Sequence, residues 1–178
     1  MKKILWLALF ACSFLFVQAQ EARQTLSSPE KRGHVLPSVS VKTLDGTVFN
    51  TRDISNDGKP VVISFWATWC KPCIAELQAI ADVYDEWVET TGVKLYAVSI
   101  DDAKTTSKVA PFVKGKAWEY EILLDPNGDF KRAMSVGDVP FLFVLNGKNE
   151  ITWSHTSYSP GAEEEVFEKI KKTLEDNK

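Results

Sequence analysis

An α/β fold, with a central mixed sheet flanked by helices, is predicted by three observations on this 178-residue chain. Apolar β-type runs alternate with segments of helical spacing, which implies a parallel core. Two turn signals, Asp45-Gly46 and Asn146-Gly147-Lys148, each join short strand-like runs and add antiparallel hairpins, one amino-terminal and one late. A composition of 44% hydrophobic and 25% charged residues suits one globular domain with a sizeable core.

Val39, Val41 and Val48 flank Asp45-Gly46 and make the first hairpin. Asp57-Gly58-Lys59-Pro60 is a loop. Val61 to Trp66 is a buried strand by its β-branched and aromatic content. Ile74, Leu77, Ile80, Ala81, Tyr84, Trp87 and Val88 recur at helical spacing, so a helix runs from Pro72 to Glu89 and Thr91-Gly92 ends it. Val93 to Ile100 is the next strand. Asp101-Asp102 is read as opening a helix that reaches Lys114. Tyr120 to Leu124 is a short strand, closed by the Asp125-Pro126-Asn127-Gly128 turn and followed by a short helix from Phe130 to Met134. Phe141 to Leu145 and Ile151 to His155 are the strands of the late hairpin. An amphipathic helix from Ala162 to Leu174 follows.

The amino end differs from the rest. Met1-Lys2-Lys3 is basic, Ile4 to Val17 is almost wholly apolar, and Val17-Gln18-Ala19 suits a cut, so residues 1–19 read as a secretory signal peptide. An uncleaved anchor and lipidation at Cys12 are the alternatives. Residues 20–36 read as a polar linker and residues 37–178 as the folded domain. Loss of the signal leaves 19 basic against 24 acidic residues, a formal charge of about −5 in place of −3. That acidity, without basic runs, argues against nucleic acid as a partner. Export implies an oxidising space, and cleavage would remove Cys12 and leave Cys70 and Cys73 as the remaining cysteines.

Cys70 and Cys73 are spaced C-x-x-C where a strand feeds a helix. A thiol at a helix amino end meets free backbone N–H groups and the helix dipole, which favour the thiolate. A second thiol two residues on permits disulfide exchange. A disulfide across so small a loop adds little stability, so the pair is expected to turn over rather than staple. A zinc site is the alternative, but a structural one needs four ligands. His34 and His155 stand in no ligand-like spacing and read as incidental, and no metal or cofactor is expected. Pro72 suits the first helical turn. Lys71 sets a positive charge beside the thiolate or is simply solvated. Glu76, three residues past Cys73, shares its helix face. It is positioned to take the Cys73 proton, or is an ordinary carboxylate at a helix amino end. Trp69 offers an apolar landing surface, whereas Trp66, Trp87, Trp118 and Trp153 read as packing.

The segment Phe65-Trp66-Ala67-Thr68-Trp69-Cys70-Lys71-Pro72-Cys73 resembles the active-site segment of thioredoxins. Val139-Pro140-Phe141, ahead of a hairpin and final helix, resembles that fold's cis-proline loop. The amino-terminal hairpin, an insertion around residues 101–128 and the export signal make the chain similar to exported TlpA/ResA-like thiol–disulfide oxidoreductases over residues 35–176. The resemblance implies a thioredoxin-like fold and a monomer at an extracytoplasmic, periplasmic location. It also implies protein thiols and disulfides as substrates, with an upstream membrane or periplasmic electron donor. Some members act on apocytochrome c before haem attachment. It implies that Cys70 attacks and Cys73 resolves, and that a cis Val139–Pro140 bond presents the Val139 backbone to an extended substrate; a trans proline starting an edge strand is the alternative. Cytoplasmic thioredoxins carry a buried Asp six residues before the first cysteine. Ser64 stands there in this chain, so the proton acceptor must lie elsewhere, and ResA-like members have a Glu at the position of Glu76. Two other functions stay open: a redox-inert thioredoxin-like module binding unfolded or cysteine-containing partners, and a thiol peroxidase-like enzyme.

Overall fold

The computed structural model describes residues 36–175; the expected signal peptide, Cys12, His34 and the linker up to residue 35 lie outside the described residues. Among the described residues, seven strands form one sheet, β1 (Ser40–Thr43), β2 (Val48–Asn50), β3 (Val61–Trp66), β4 (Lys94–Ser99), β5 (Glu121–Leu124), β6 (Phe141–Leu145) and β7 (Ile151–Thr156). Four α-helices accompany them: α1 (Lys71–Thr91), α2 (Val109–Lys116), α3 (Asp129–Ala133) and α4 (Ala162–Glu175). The strand order is β2-β1-β5-β4-β3-β6-β7. β3, β4 and β5 are parallel neighbours, and the two hairpins attach antiparallel, β1 to β5 and β6 to β3. The predicted parallel core with hairpins is therefore present, and the segment around residues 101–128 supplies α2 and β5.

β3 is buried at every position because helices cover both sheet faces. Its alternation divides the core. Val62 and Trp66 join Cys73, Leu77, Ile80 and Trp87 of α1 and Val166 and Ile170 of α4 on one face. Val61, Ile63 and Phe65 join Val41, Val98 and Phe130 on the other. Ser64 falls, by parity, on the α1 face. Leu36 is already part of the second core. α1 ends at Gly92, whose φ of +66 closes the helix in the left-handed region that its sequence position predicts.

One predicted element is shorter than expected. The helix read as starting at Asp101-Asp102 starts at Val109, after a 3-10 turn at Thr106–Lys108. The Asp102 carboxylate accepts from the Lys104 and Thr105 N–H groups and from Thr105 Oγ1, so it organises a turn that competes with the helix. Asp101 is fully buried and held elsewhere, which leaves neither residue free to start the helix.

Candidate active site

β3 carries the chain to its carboxyl end, and after three intervening residues Cys70 becomes the N-cap of α1. The Cys70 N–H donates to Ala67 O at 3.0 Å, turning the chain sharply. Its Sγ accepts from the Cys73 N–H at 3.3 Å. This places the sulfur where the free donors of a helix amino end converge. Cys70 and Cys73 form a disulfide with Cα atoms 5.3 Å apart. Cys70 retains 5% of its surface, whereas Cys73 retains none, so the second thiol is completely covered. Lys71 and Pro72 are exposed, and Trp69 is exposed at 61%, leaving an open apolar face beside Cys70.

The Val139–Pro140 peptide is cis, as the resemblance implies. Val139 O lies 3.7 Å from Cys70 Sγ, so this loop and the cysteine pair share one surface. Pro140 is buried, and its carbonyl accepts from Ser157 N–H and Thr156 Oγ1, both at 3.2 Å, which ties the loop to the end of β7.

Glu76 points from α1 into the sheet and is 1% exposed. Its Oε1 lies 2.8 Å from His155 Nε2, and its Oε2 lies 3.5 Å from Ser64 Oγ. A buried carboxylate needs such partners. The sheet register explains the meeting: Ser64 pairs with Leu142, and Leu142 pairs with His155, so the three form one row across β3, β6 and β7. His155, read as incidental, thus contacts the candidate proton acceptor. The signal that finds it is the hairpin register, which aligns His155 with the very strand position where a buried acid was sought.

Asp101 is the second residue that sequence reasoning missed. It follows β4, whose carboxyl end lies beside that of β3. Its Oδ2 accepts from Thr68 N–H at 2.8 Å and from Ser99 Oγ at 2.9 Å, and its Oδ1 accepts from Thr68 Oγ1 at 2.6 Å. Asp101 therefore clamps the loop that delivers Trp69 and Cys70. Crevices at the carboxyl ends of parallel strands are where such groups gather, and that rule is the available sequence signal.

The chain matches the AhpC/TSA family over residues 32–154. It is 32% identical to thiol-disulfide oxidoreductase ResA of Oceanobacillus iheyensis over 121 residues, which is 67% of this chain and 62%, under two thirds, of that protein. It is 29% identical to sporulation thiol-disulfide oxidoreductase A of Bacillus subtilis over 141 residues, 78% of this chain and 82% of that protein. The solution structure of an uncharacterized thioredoxin-like protein from Porphyromonas gingivalis superposes with a TM-score of 0.71 at 48% identity, covering 79% of this chain and 92% of that one. The seven-stranded architecture is thus thioredoxin-like.

Proposed function

Given that this chain belongs to the AhpC/TSA family, with thiol–disulfide oxidoreductases among its relatives, we propose that it reduces protein disulfides outside the cytoplasm through Cys70 and Cys73. The observation that carries this reading is the placement of Cys70 Sγ at the α1 amino end, accepting the Cys73 N–H and facing Val139 O. The Cys70 thiolate attacks a substrate disulfide, forming a mixed disulfide and expelling one substrate thiolate. Cys73 then gives its proton to Glu76, and its sulfur attacks Cys70 Sγ. The Cys70–Cys73 bond forms, the second substrate thiolate leaves, and both leaving groups take protons from water. Two electrons have passed to the substrate, and a dithiol donor restores the pair.

Trp69, Lys71, Pro72, Val139 and Pro140 form the docking face in this reading. An extended substrate segment lies along the Val139 backbone and against the exposed Trp69 ring. Glu76 is the proton acceptor because it shares the α1 face with Cys73 and takes the place of the acid absent at Ser64. Export through residues 1–19, action as a monomer, recharging by a membrane or periplasmic donor, and reduction of apocytochrome c disulfides before haem attachment extend the same reading.

The test is reduction of a protein disulfide with dithiothreitol as the recycling donor. Wild type should turn over, and Cys70→Ser should not. An intact pair that gives no turnover would transfer the assignment to a binding module, and consumption of peroxide in its place would transfer it to a peroxidase.

A further inference from the structure

Glu76 has almost no contact with water, since 1% of its side chain is exposed. A proton delivered there by Cys73 has to leave by another group before the next cycle. Ser64 Oγ, at 3.5 Å, is at the limit of hydrogen bonding and its hydroxyl does not accept a proton for transport at neutral pH. His155 Nε2, at 2.8 Å, is in full contact with Oε1. The His155 side chain keeps 16% of its surface exposed. It stands on β7, an edge strand of the sheet, with its ring 5.0 Å from that of Trp153. One imidazole therefore spans the distance from the buried carboxylate to the protein surface.

We infer that His155 acts through Glu76 as a proton relay, carrying the Cys73 proton between the buried carboxylate and solvent. The inference rests on the proposed role of Glu76. When Cys73 ionises, its proton moves to the Glu76 carboxylate, and its sulfur electron pair forms the bond to Cys70 Sγ. The bond between Cys70 and the substrate sulfur breaks, and its pair leaves with the substrate thiolate. Glu76 then protonates His155 Nε2, the imidazolium releases a proton from Nδ1 to water, and the ring is left as the Nε2–H tautomer; exchange with water, one proton taken at Nδ1 and one lost from Nε2, resets the first tautomer before the next cycle. No atom is left over, and the carboxylate is restored. Imidazole is suited to this because it takes a proton on one nitrogen and gives one from the other near neutral pH.

The surroundings leave His155 as the bridging group. From α1, Glu76 contacts it; from β3, Ser64 lies in its row; from β6, the row is filled by apolar Leu142. From the loop before α4 comes Tyr158, whose hydroxyl donates to Glu163 Oε2 at 3.2 Å. Burial, then the Glu163 charge, and to a lesser degree the Glu76 charge push the Tyr158 phenol above its ordinary range, so it stays neutral through the working pH. From α4, the Lys169 ammonium lies over the Trp153 ring at 5.6 Å and bridges Glu165 at 3.4 Å.

The test uses the reduced full chain and the small disulfide dithiobis(nitrobenzoate), which releases one coloured thiolate on attack by Cys70 and a second on resolution by Cys73. His155→Gln keeps an N–H for Glu76 but cannot carry a proton. It should leave the first phase unchanged, slow the second about tenfold or more, and flatten the pH profile of that phase. Free imidazole should restore part of the rate. His155→Asn repeats the test with a shorter amide, and the unchanged first phase reports that each variant is folded. A second phase with wild-type rate and profile in His155→Gln, alongside a slowed Glu76→Gln, overturns the relay and leaves the role of Glu76 standing. If Glu76→Gln is not slowed, the reading beneath the relay fails, and the relay with it. A slowed His155→Gln that keeps the wild-type profile and ignores imidazole reduces His155 to a packing residue and also overturns the inference.

Discussion

Replacing Asp101 with alanine should be among the most damaging single changes near the site, although Asp101 touches neither cysteine. Its carboxylate accepts three hydrogen bonds, from Thr68 N–H, Thr68 Oγ1 and Ser99 Oγ. Alanine leaves the Thr68 amide without its partner, a cost of about 1–3 kcal/mol, and removes two hydroxyl bonds worth about 1 kcal/mol each. The two hydroxyls can rotate to new partners, and removal of a buried charge returns part of the loss, so the net destabilisation should be about 2–4 kcal/mol. Asparagine should behave differently. Its carbonyl can replace Oδ2 and its amide can donate to Thr68 Oγ1, so a loss of about 1 kcal/mol is expected. Urea unfolding of the oxidised proteins would show the difference as midpoint shifts at constant slope. In thermal unfolding the alanine variant should melt roughly 6–12 °C below wild type, at about 3 °C per kcal/mol for a domain of this size. An alanine variant within about 0.5 kcal/mol of wild type, the ordinary spread of surface changes, would refute the clamp, as would an asparagine variant equally damaged.

Cys70→Ser should abolish protein-disulfide reduction, while Cys73→Ser should accumulate a mixed disulfide on Cys70 that mass mapping locates; faster alkylation of Cys73 than of Cys70 in the reduced protein would reverse the assignment. Gly147→Ala should destabilise by about 1–3 kcal/mol, because a Cβ there runs into the Gly58 carbonyl. Gly115→Ala in α2 meets nothing within 4 Å and should stabilise by about 0.5–1 kcal/mol, both measured by urea unfolding. Burial first, then the charges of Tyr84 and Asp82, hold the Tyr120 phenol far above its ordinary value near 10. Its contribution to folding is complete below about pH 10, where the unfolded phenol is also neutral, and is lost as pH rises towards the folded value. Stability followed from about pH 8 to pH 11 should fall above pH 10, and less steeply in Tyr120→Phe, which also loses the 2.8 Å bond to Leu77 O.

The parts of the site that depend on local chemistry were legible. A β-branched run entering C-x-x-C puts Cys70 at a helix end, and helix periodicity puts Glu76 on the Cys73 face; both are decided by neighbours in the chain. His155 was not legible, because its meaning comes from the pairing of three strands that places it in the row of Ser64 and under Glu76, 79 positions away in sequence. Asp101-Asp102 looks like a helix start because local propensity favours it. The tertiary contact with Thr68 claims the first residue, and the turn at Thr105 claims the second. The complete burial of Cys73 follows from packing against the sheet, which helix periodicity does not rank.

The sheet register bears on the order in which the chain acquires its chemistry. The two ladders that complete the sheet, β1 with β5 and β3 with β6, join residues roughly eighty positions apart, a topology that folds slowly because distant contacts must be closed before they are rewarded. The cysteines are three positions apart and can be oxidised before any such ladder exists. Synthesis delivers Cys70 and Cys73 well before Val139 and Pro140. The nascent chain thus passes through an interval in which its thiols are reactive while the surface proposed to dock a substrate is still missing. Closure of the pair into its own disulfide, once an external oxidant takes the two electrons, needs no fold and would keep the chain from cross-linking to its neighbours during that interval.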